Sequence, residues 1–241
     1  MDMLVIGIQH HFGWVLVNDP VKLICEMHSP NRGPRRDGLQ PQFIILHYTA
    51  MATAEAAIER LCDPSAQVSA HYVICKSGRI IRLVDEELRA WHAGSGEWCG
   101  FQDMNSRSIG IELDNDGKGA FTKQLMTSLE KLLPTIMAKW NIPPVNVIGH
   151  SDMAPGRKFD PGPFFEWNKL EVKGLAEKKL QQMEISRFSV DAFRELAQIC
   201  GYTAPASDAD LLATVRLRYR QGASGPLNAA DFAAISDNKK I

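Results

Sequence analysis

Residues 149–162 read GHSDMAPGRKFDPG, and this stretch constrains the fold more than any other. Three glycines and two prolines within it exclude a regular helix or strand ladder, so the backbone follows a fixed irregular path. The loop leaves the apolar run PPVNVI and carries His150, Lys158 and Asp160. A plain connector of about two to six residues has no use for these groups, whereas a longer polar connection is commonly functional. A surface loop with chance charges is the competing reading.

The sequence around the loop alternates strand and helix patterns. FIILH (43–47) is a short apolar run of the kind a buried strand gives. MATAEAAIERL (51–61) follows, with Thr53 placed to cap a helix of good helix formers. HYVICKSGRIIRLV (71–84) reads as a hairpin turning at Lys76–Arg79. In SIGIELDN (108–115), Ile109, Ile111 and Leu113 share one face, and Gly110, Glu112 and Asp114 the other. Residues 122–140 have helical periodicity from Leu125 to Trp140, with Thr122 as cap and a bend expected at Pro134. VNVI (145–148) is one more strand. The pattern predicts an α/β fold, a mixed central sheet flanked by helices, with a small C-terminal all-helical domain.

Expected boundaries are an N-terminal arm at 1–28, a main domain at 29–170, a polar linker at 171–185 and three short helices at 186–238. All the candidate chemistry precedes residue 161, so the helical tail is expected to be dispensable for it. The first 28 residues lack a basic leader and a small-residue cleavage site, and no uninterrupted apolar run is long enough to span a bilayer. The expected setting is therefore cytoplasmic, with a periplasmic one as the alternative. Five scattered cysteines without a C-x-x-C pair fit reduced thiols rather than a disulfide framework. A net charge of −1 gives no general attraction to nucleic acid or anionic membrane. Oligomeric state is not encoded in any pattern here.

His47 ends one strand and His150 follows another, which is where side chains from distant parts of a chain converge at a sheet edge. With Asp160 they make a two-histidine, one-carboxylate set suited to Zn2+ with a position left for water. Such a site acidifies water at neutral pH and calls for a proton acceptor and a cationic group nearby. Glu112 is the candidate base, against the alternative of a solvent-facing strand glutamate. Lys158 is the candidate stabiliser of a developing oxyanion, against the alternative of a solvated lysine. His71, Trp91 and His92 are candidates for lining the substrate cleft.

FIILHYTA, VSAHYVI, AWHAG, NSRSIGIELDN and GHSDMAPGRKFDPGPFFEW, in this order, resemble the type 2 (AmpD- and AmiD-like) family of zinc-dependent N-acetylmuramoyl-L-alanine amidases. The resemblance covers about residues 29–168. It implies zinc ligands at His47, His150 and Asp160, a general base at Glu112 and a transition-state stabiliser at Lys158. It also implies hydrolysis of the amide joining N-acetylmuramic acid to the L-alanine of a stem peptide. Soluble fragments such as 1,6-anhydro muropeptides are the expected substrate, which points to recycling. A lytic amidase acting on intact peptidoglycan and a non-catalytic peptidoglycan recognition module are the alternatives. The tail weakly resembles a three-helix peptidoglycan-binding module, but Arg216, Arg218 and Arg220 depart from the glutamine-rich middle of such modules.

Overall fold

The computed structural model describes residues 24–177 and 189–235. In chain order these form β1 (Ile24–Glu26), β2 (Arg32–Pro34), β3 (Phe43–Tyr48), α1 (Ala54–Cys62), β4 (Tyr72–Ile74), β5 (Ile80–Arg82), β6 (Leu88–Ala90), α2 (Met104–Arg107), β7 (Ser108–Leu113), α3 (Lys123–Trp140), β8 (Val147–Gly149), α4 (His150–Met153), α5 (Trp167–Val172), α6 (Val190–Ile199), α7 (Asp208–Tyr219) and α8 (Ala229–Ile235). Six strands make one sheet in the order β1-β5-β4-β7-β3-β8, and β2 pairs with β6 as a separate ribbon. Within the sheet β4 and β5 run antiparallel and every other pair is parallel, so the sheet is mixed, with helices on both faces.

Strands β3 and β7 lie side by side inside the sheet and are buried along nearly their whole length, as parallel strands covered on both faces must be. Ile44, Leu46, Ile109, Ile111 and Leu113 face α3, where Leu125, Leu129, Leu132, Leu133 and Ile136 complete one apolar cluster. Thr122 caps α3 by accepting from the Leu125 N–H at 3.2 Å. The helix runs through Pro134 as one element rather than breaking there. Pro134 itself is exposed, so the Glu130 carbonyl that it leaves unpaired lies toward solvent, while buried Leu132, Leu133 and Ile136 anchor the flanking turns.

The expected N-terminal arm falls mostly outside the described residues, but its last part does not behave as an arm. Ile24–Glu26 extends the sheet as β1, in parallel register with Ile80–Arg82. Arg32–Pro34, which has no apolar periodicity, becomes a strand because β6 supplies its partners.

The expected linker begins inside α5, which continues to Val172, and residues 178–188 lie outside the described residues. The tail helices bury their apolar faces against the second face of the sheet. Phe193, Leu211, Val215 and Phe232 join Phe43, Ile45, Ile148 and Met153 in a single cluster. The three arginines of α7 and its C-cap turn inward. Arg216 makes a two-pronged ion pair with fully buried Asp231, donating from Nε at 2.9 Å and Nη2 at 2.7 Å, and Arg220 donates to the same carboxylate. Arg218 lies 3.4 Å above the centre of the Trp167 ring.

Burial opposes ionisation of Asp231, but hydrogen bonds from Arg216, the Asn228 N–H and Arg220 outweigh it and hold the carboxyl below its ordinary value. A depressed carboxyl stabilises the fold above its unfolded pKa of about 3.9 and loses that contribution as pH falls through the folded value. Asp231→Ala is expected to cost about 3–5 kcal/mol, because Arg216 is left buried without its partner. Urea unfolding at pH 7 measures the loss. The difference from the parent protein should shrink as the pH is lowered below about 4.

Candidate active site

Strand register brings the first two groups together. His47 on β3 pairs directly with Glu112 on β7, so both side chains leave the same face of the sheet at the same level. On the other side of β3, Leu46 pairs with Gly149, and the next residue, His150, opens α4. The loop after α4 then returns, and the Ser151 N–H donates to the Asp160 carbonyl at 2.9 Å, which fixes the third group beside the first two. Gly162 has φ +84°, a conformation that favours glycine, and a side chain there would also meet the Tyr48 ring at 3.1 Å.

Three donor atoms converge. His47 Nδ1 lies 3.0 Å from His150 Nδ1 and 2.9 Å from Asp160 Oδ2, and His150 Nδ1 lies 3.1 Å from the same oxygen. Hydrogen-bond partners on the far side of each ring decide where the protons sit. His150 Nε2 is 2.8 Å from the Ala93 carbonyl, which only accepts, so in the neutral ring the proton is on Nε2 and Nδ1 presents a lone pair. For His47 the argument runs through a relay. Ser108 Oγ donates to the Met104 carbonyl and therefore accepts from His92 Nε2 at 3.3 Å. His92 Nδ1 then accepts from His47 Nε2 at 3.0 Å, and His47 Nδ1 is left unprotonated. Burial, first, and then His150 push His47 down to about 4, so it is neutral at physiological pH.

Two lone pairs and a carboxylate thus face one another with no proton between them, an arrangement that is repulsive unless a cation occupies the centre. A tetrahedral zinc with bonds of about 2.0–2.1 Å sets its ligands roughly 3.3 Å apart, close to the triangle seen here. His47, His150 and Asp160 also form a possible metal-binding group among the described residues. The donor set fits zinc.

Glu112 and Lys158 line the same cleft, of about 370 Å³, together with Tyr48, Arg60, Trp91 and Arg157. Glu112 Oε2 is buried and has no hydrogen-bond partner among the described residues. Burial, followed by the charge of Asp160, raises its carboxyl well above the ordinary value, and Lys158 opposes the rise. That is the environment of a proton acceptor awaiting a substrate-side partner.

Of the three sequence candidates for lining the cleft, Trp91 and His92 line it and His71 does not. His71 is fully buried beneath the site, where Nδ1 accepts from the Gly110 N–H and Nε2 faces Arg35 and the Leu88 carbonyl. It props the floor because it opens a strand whose neighbours are all covered. His92 does more than line the cleft, since it holds His47 in its tautomer. Arg157 was invisible as a site residue, being one charge among several on the loop. It donates to the Ala93 carbonyl at 2.9 Å and so ties the loop to the segment that also orients His150.

Gly110 shows how tight the relay is. A Cβ there would lie 2.4 Å from Cγ of His92. Gly110→Ala is therefore expected to displace His92 and lower zinc affinity about 10–100-fold, the usual effect of losing a group that orients a ligand. Competition with a chromophoric chelator measures it.

Residues 37–163, more than half of the chain, match the family model described as N-acetylmuramoyl-L-alanine amidase. The chain is 38% identical to AmiD of Escherichia coli across 55% of this chain, which spans 52% of that relative. It is 33% identical to 1,6-anhydro-N-acetylmuramyl-L-alanine amidase AmpD of Salmonella typhimurium, across 60% of this chain and 86% of the relative. Among solved structures, AmiD from E. coli in complex with anhydro-N-acetylmuramic acid-L-Ala-D-gamma-Glu-L-Lys superposes with TM-score 0.72 at 29% identity, covering 81% of this chain and 88% of that one. AmpDh3 from Pseudomonas aeruginosa with an anhydromuramic pentapeptide gives 0.74 at 28% identity, covering 85% and 93%. The family model and these relatives place the chain in the N-acetylmuramoyl-L-alanine amidase family, type 2.

Proposed function

We propose that the protein hydrolyses the amide between N-acetylmuramic acid and the L-alanine of the stem peptide in soluble muropeptides, foremost the 1,6-anhydro form. The observation that carries this reading is the convergence of three unprotonated donors beside Glu112 and Lys158 in one cleft. The relatives support the choice of substrate, since one is named for the 1,6-anhydro compound and two solved structures hold anhydromuramyl peptides. Action on such fragments belongs to muropeptide recycling in the cytoplasm; a periplasmic setting would go with intact wall.

His47, His150 and Asp160 would hold the zinc, which when bound supplies Lewis acidity toward water and the scissile carbonyl. Glu112 accepts the proton of the attacking water as the new C–O bond forms. It returns that proton to the alanine nitrogen as the amide C–N bond breaks, which leaves a lactyl carboxylate and a free peptide amine. The Lys158 ammonium stabilises the oxyanion that develops on the carbonyl oxygen. Trp91 offers a flat apolar wall for a sugar ring or peptide, and Arg60 and Arg157 put positive charge where an anionic stem peptide enters.

The decisive experiment incubates the zinc-loaded protein with a purified anhydro-N-acetylmuramyl tripeptide and, separately, with intact sacculi, and follows free peptide by mass spectrometry. Rapid release from the soluble substrate supports the proposal. Release from sacculi alone would favour the lytic reading, and none from either would leave a recognition module. Glu112→Gln is expected to keep zinc while turnover falls at least ~10²-fold. Lys158→Ala is expected to lower kcat by ~10²–10³ with little change in KM, because the charge it stabilises exists only in the transition state. The opposite split would make Lys158 a binding anchor for the stem peptide.

A further inference from the structure

Among the departures from the module that the tail resembles, Arg218 stands apart. Its side chain is almost fully buried, and it reaches the catalytic half of the molecule rather than its own helices. Nη2 donates to the carbonyl of Val147 at 3.3 Å, and Nη1 lies 3.8 Å from Oδ2 of Asp152. Its plane covers Trp167, and a Cβ on Gly149 would stand 3.3 Å from that same indole. A second tail residue, Tyr202, donates from its hydroxyl to Asp152 Oδ1 at 2.9 Å. The hydroxyl belongs to a buried ring set edge-on to Trp98, with centroids 4.8 Å apart, so it has little freedom to move.

Asp152 is where these contacts meet. Its Oδ2 accepts from the Gly149 N–H at 2.7 Å and closes the first turn of α4. His150 is the first residue of that four-residue helix. A helix so short has no ladder of its own to hold its direction, so the cap at Gly149 acts with the Ala93 carbonyl and the Ser151–Asp160 backbone bond in setting where the His150 ring points. The carboxylate that makes the cap accepts a hydrogen bond from Tyr202 on one side and on the other faces the Arg218 guanidinium across an ion pair of 3.8 Å without a hydrogen bond. Both lie in the helical tail.

We infer that the tail is a built-in part of the metal centre, with Tyr202 and Arg218 as positioning residues that act on His150 through Asp152. The tail would on this account serve the chemistry directly, whatever it does toward polymeric wall, and the catalytic half alone is incomplete. This differs from the separable tail that the sequence predicts. The inference rests on the zinc-site reading given above, and the experiment separates the two.

The test measures zinc affinity by chelator competition, and ligand geometry from the visible spectrum of the cobalt-substituted protein. All variants are full-length, with folding checked by circular dichroism. Tyr202→Phe removes one oxygen and keeps the ring packing. It is expected to lower zinc affinity about 10–100-fold and to alter the cobalt spectrum, as losing support behind a ligand does. Arg218→Lys keeps the charge but loses the planar stack and the fixed reach to Val147, and is expected to move both readouts the same way. Asp231→Asn weakens the tail's internal ion pairs without touching Asp152, and should leave affinity and spectrum unchanged below its melting temperature. Parental affinity and spectrum in both Tyr202→Phe and Arg218→Lys would overturn the inference. So would an equal loss in Asp231→Asn, which would show that tail stability in general is being read. If the parent protein itself binds no zinc, the metal-site reading fails instead.

Discussion

The meeting of three unprotonated donor atoms governs the arrangement of everything around them. His47 Nδ1, His150 Nδ1 and Asp160 Oδ2 lie about 3 Å apart, and none has a proton to share with the others. Like partial charges brought this close repel strongly in a buried setting, where the effective dielectric is low. The fold must therefore hold them together against that repulsion. It does so through the opposite edge of each ring: the Ala93 carbonyl behind His150, and the His92–Ser108–Met104 relay behind His47. The surroundings follow from this need. Gly110 makes room for the His92 ring, and Asn105 Oδ1 accepts from the N–H groups of His92 and Ala93, fixing the turn that carries both supports.

The strand pattern explains why the proposed metal ligands and the proposed base stood out in the sequence. A parallel pair buried on both faces leaves few polar positions, so His47 in FIILHY and Glu112 in SIGIEL stand out as residues with no ordinary reason to be there. Their register, His47 opposite Glu112, converts two separate anomalies into one site. The glycine- and proline-rich loop was legible for the same reason, because rigidity without regular structure implies that something is being aimed.

What stayed hidden depends on contacts between distant segments. The sequence shows His92 as a histidine beside a tryptophan, and its service to His47 depends on a ring meeting another ring 45 positions away. His71 looked equivalent to it and lies instead beneath the floor, because Arg35 reaches in from the proline- and arginine-rich segment to cover it. That segment has no periodicity to read, yet Arg35 binds the carbonyls of Glu86, Asn105, Ser106 and Ser108 and so fastens the turn before β6 to α2 and the start of β7. Strand β1 was equally illegible, since three residues at a sheet edge carry too little alternation to mark a strand.

The tail shows most clearly how a departure from a pattern can carry information. Three arginines at spacing two cannot all share one face of a helix, and on a ligand-binding module they would be read as a solvated or anion-binding patch. The structure gives them two destinations. Arg216 and Arg220, four apart, both close on Asp231 and knit α7 to α8. Arg218, between them, necessarily points elsewhere, and that direction is Trp167 and the backbone of β8. Burying a guanidinium is costly unless charge and hydrogen bonds compensate it, and an apolar residue in its place would serve simple docking at least as well. What a buried arginine offers over leucine is direction: a planar group stacked on the indole, bonded to the strand carbonyl and turned toward the carboxylate. All three of those partners adjoin Gly149 and His150. The placement of the charge is better explained by the precision needed at the metal ligand than by the cohesion of the tail.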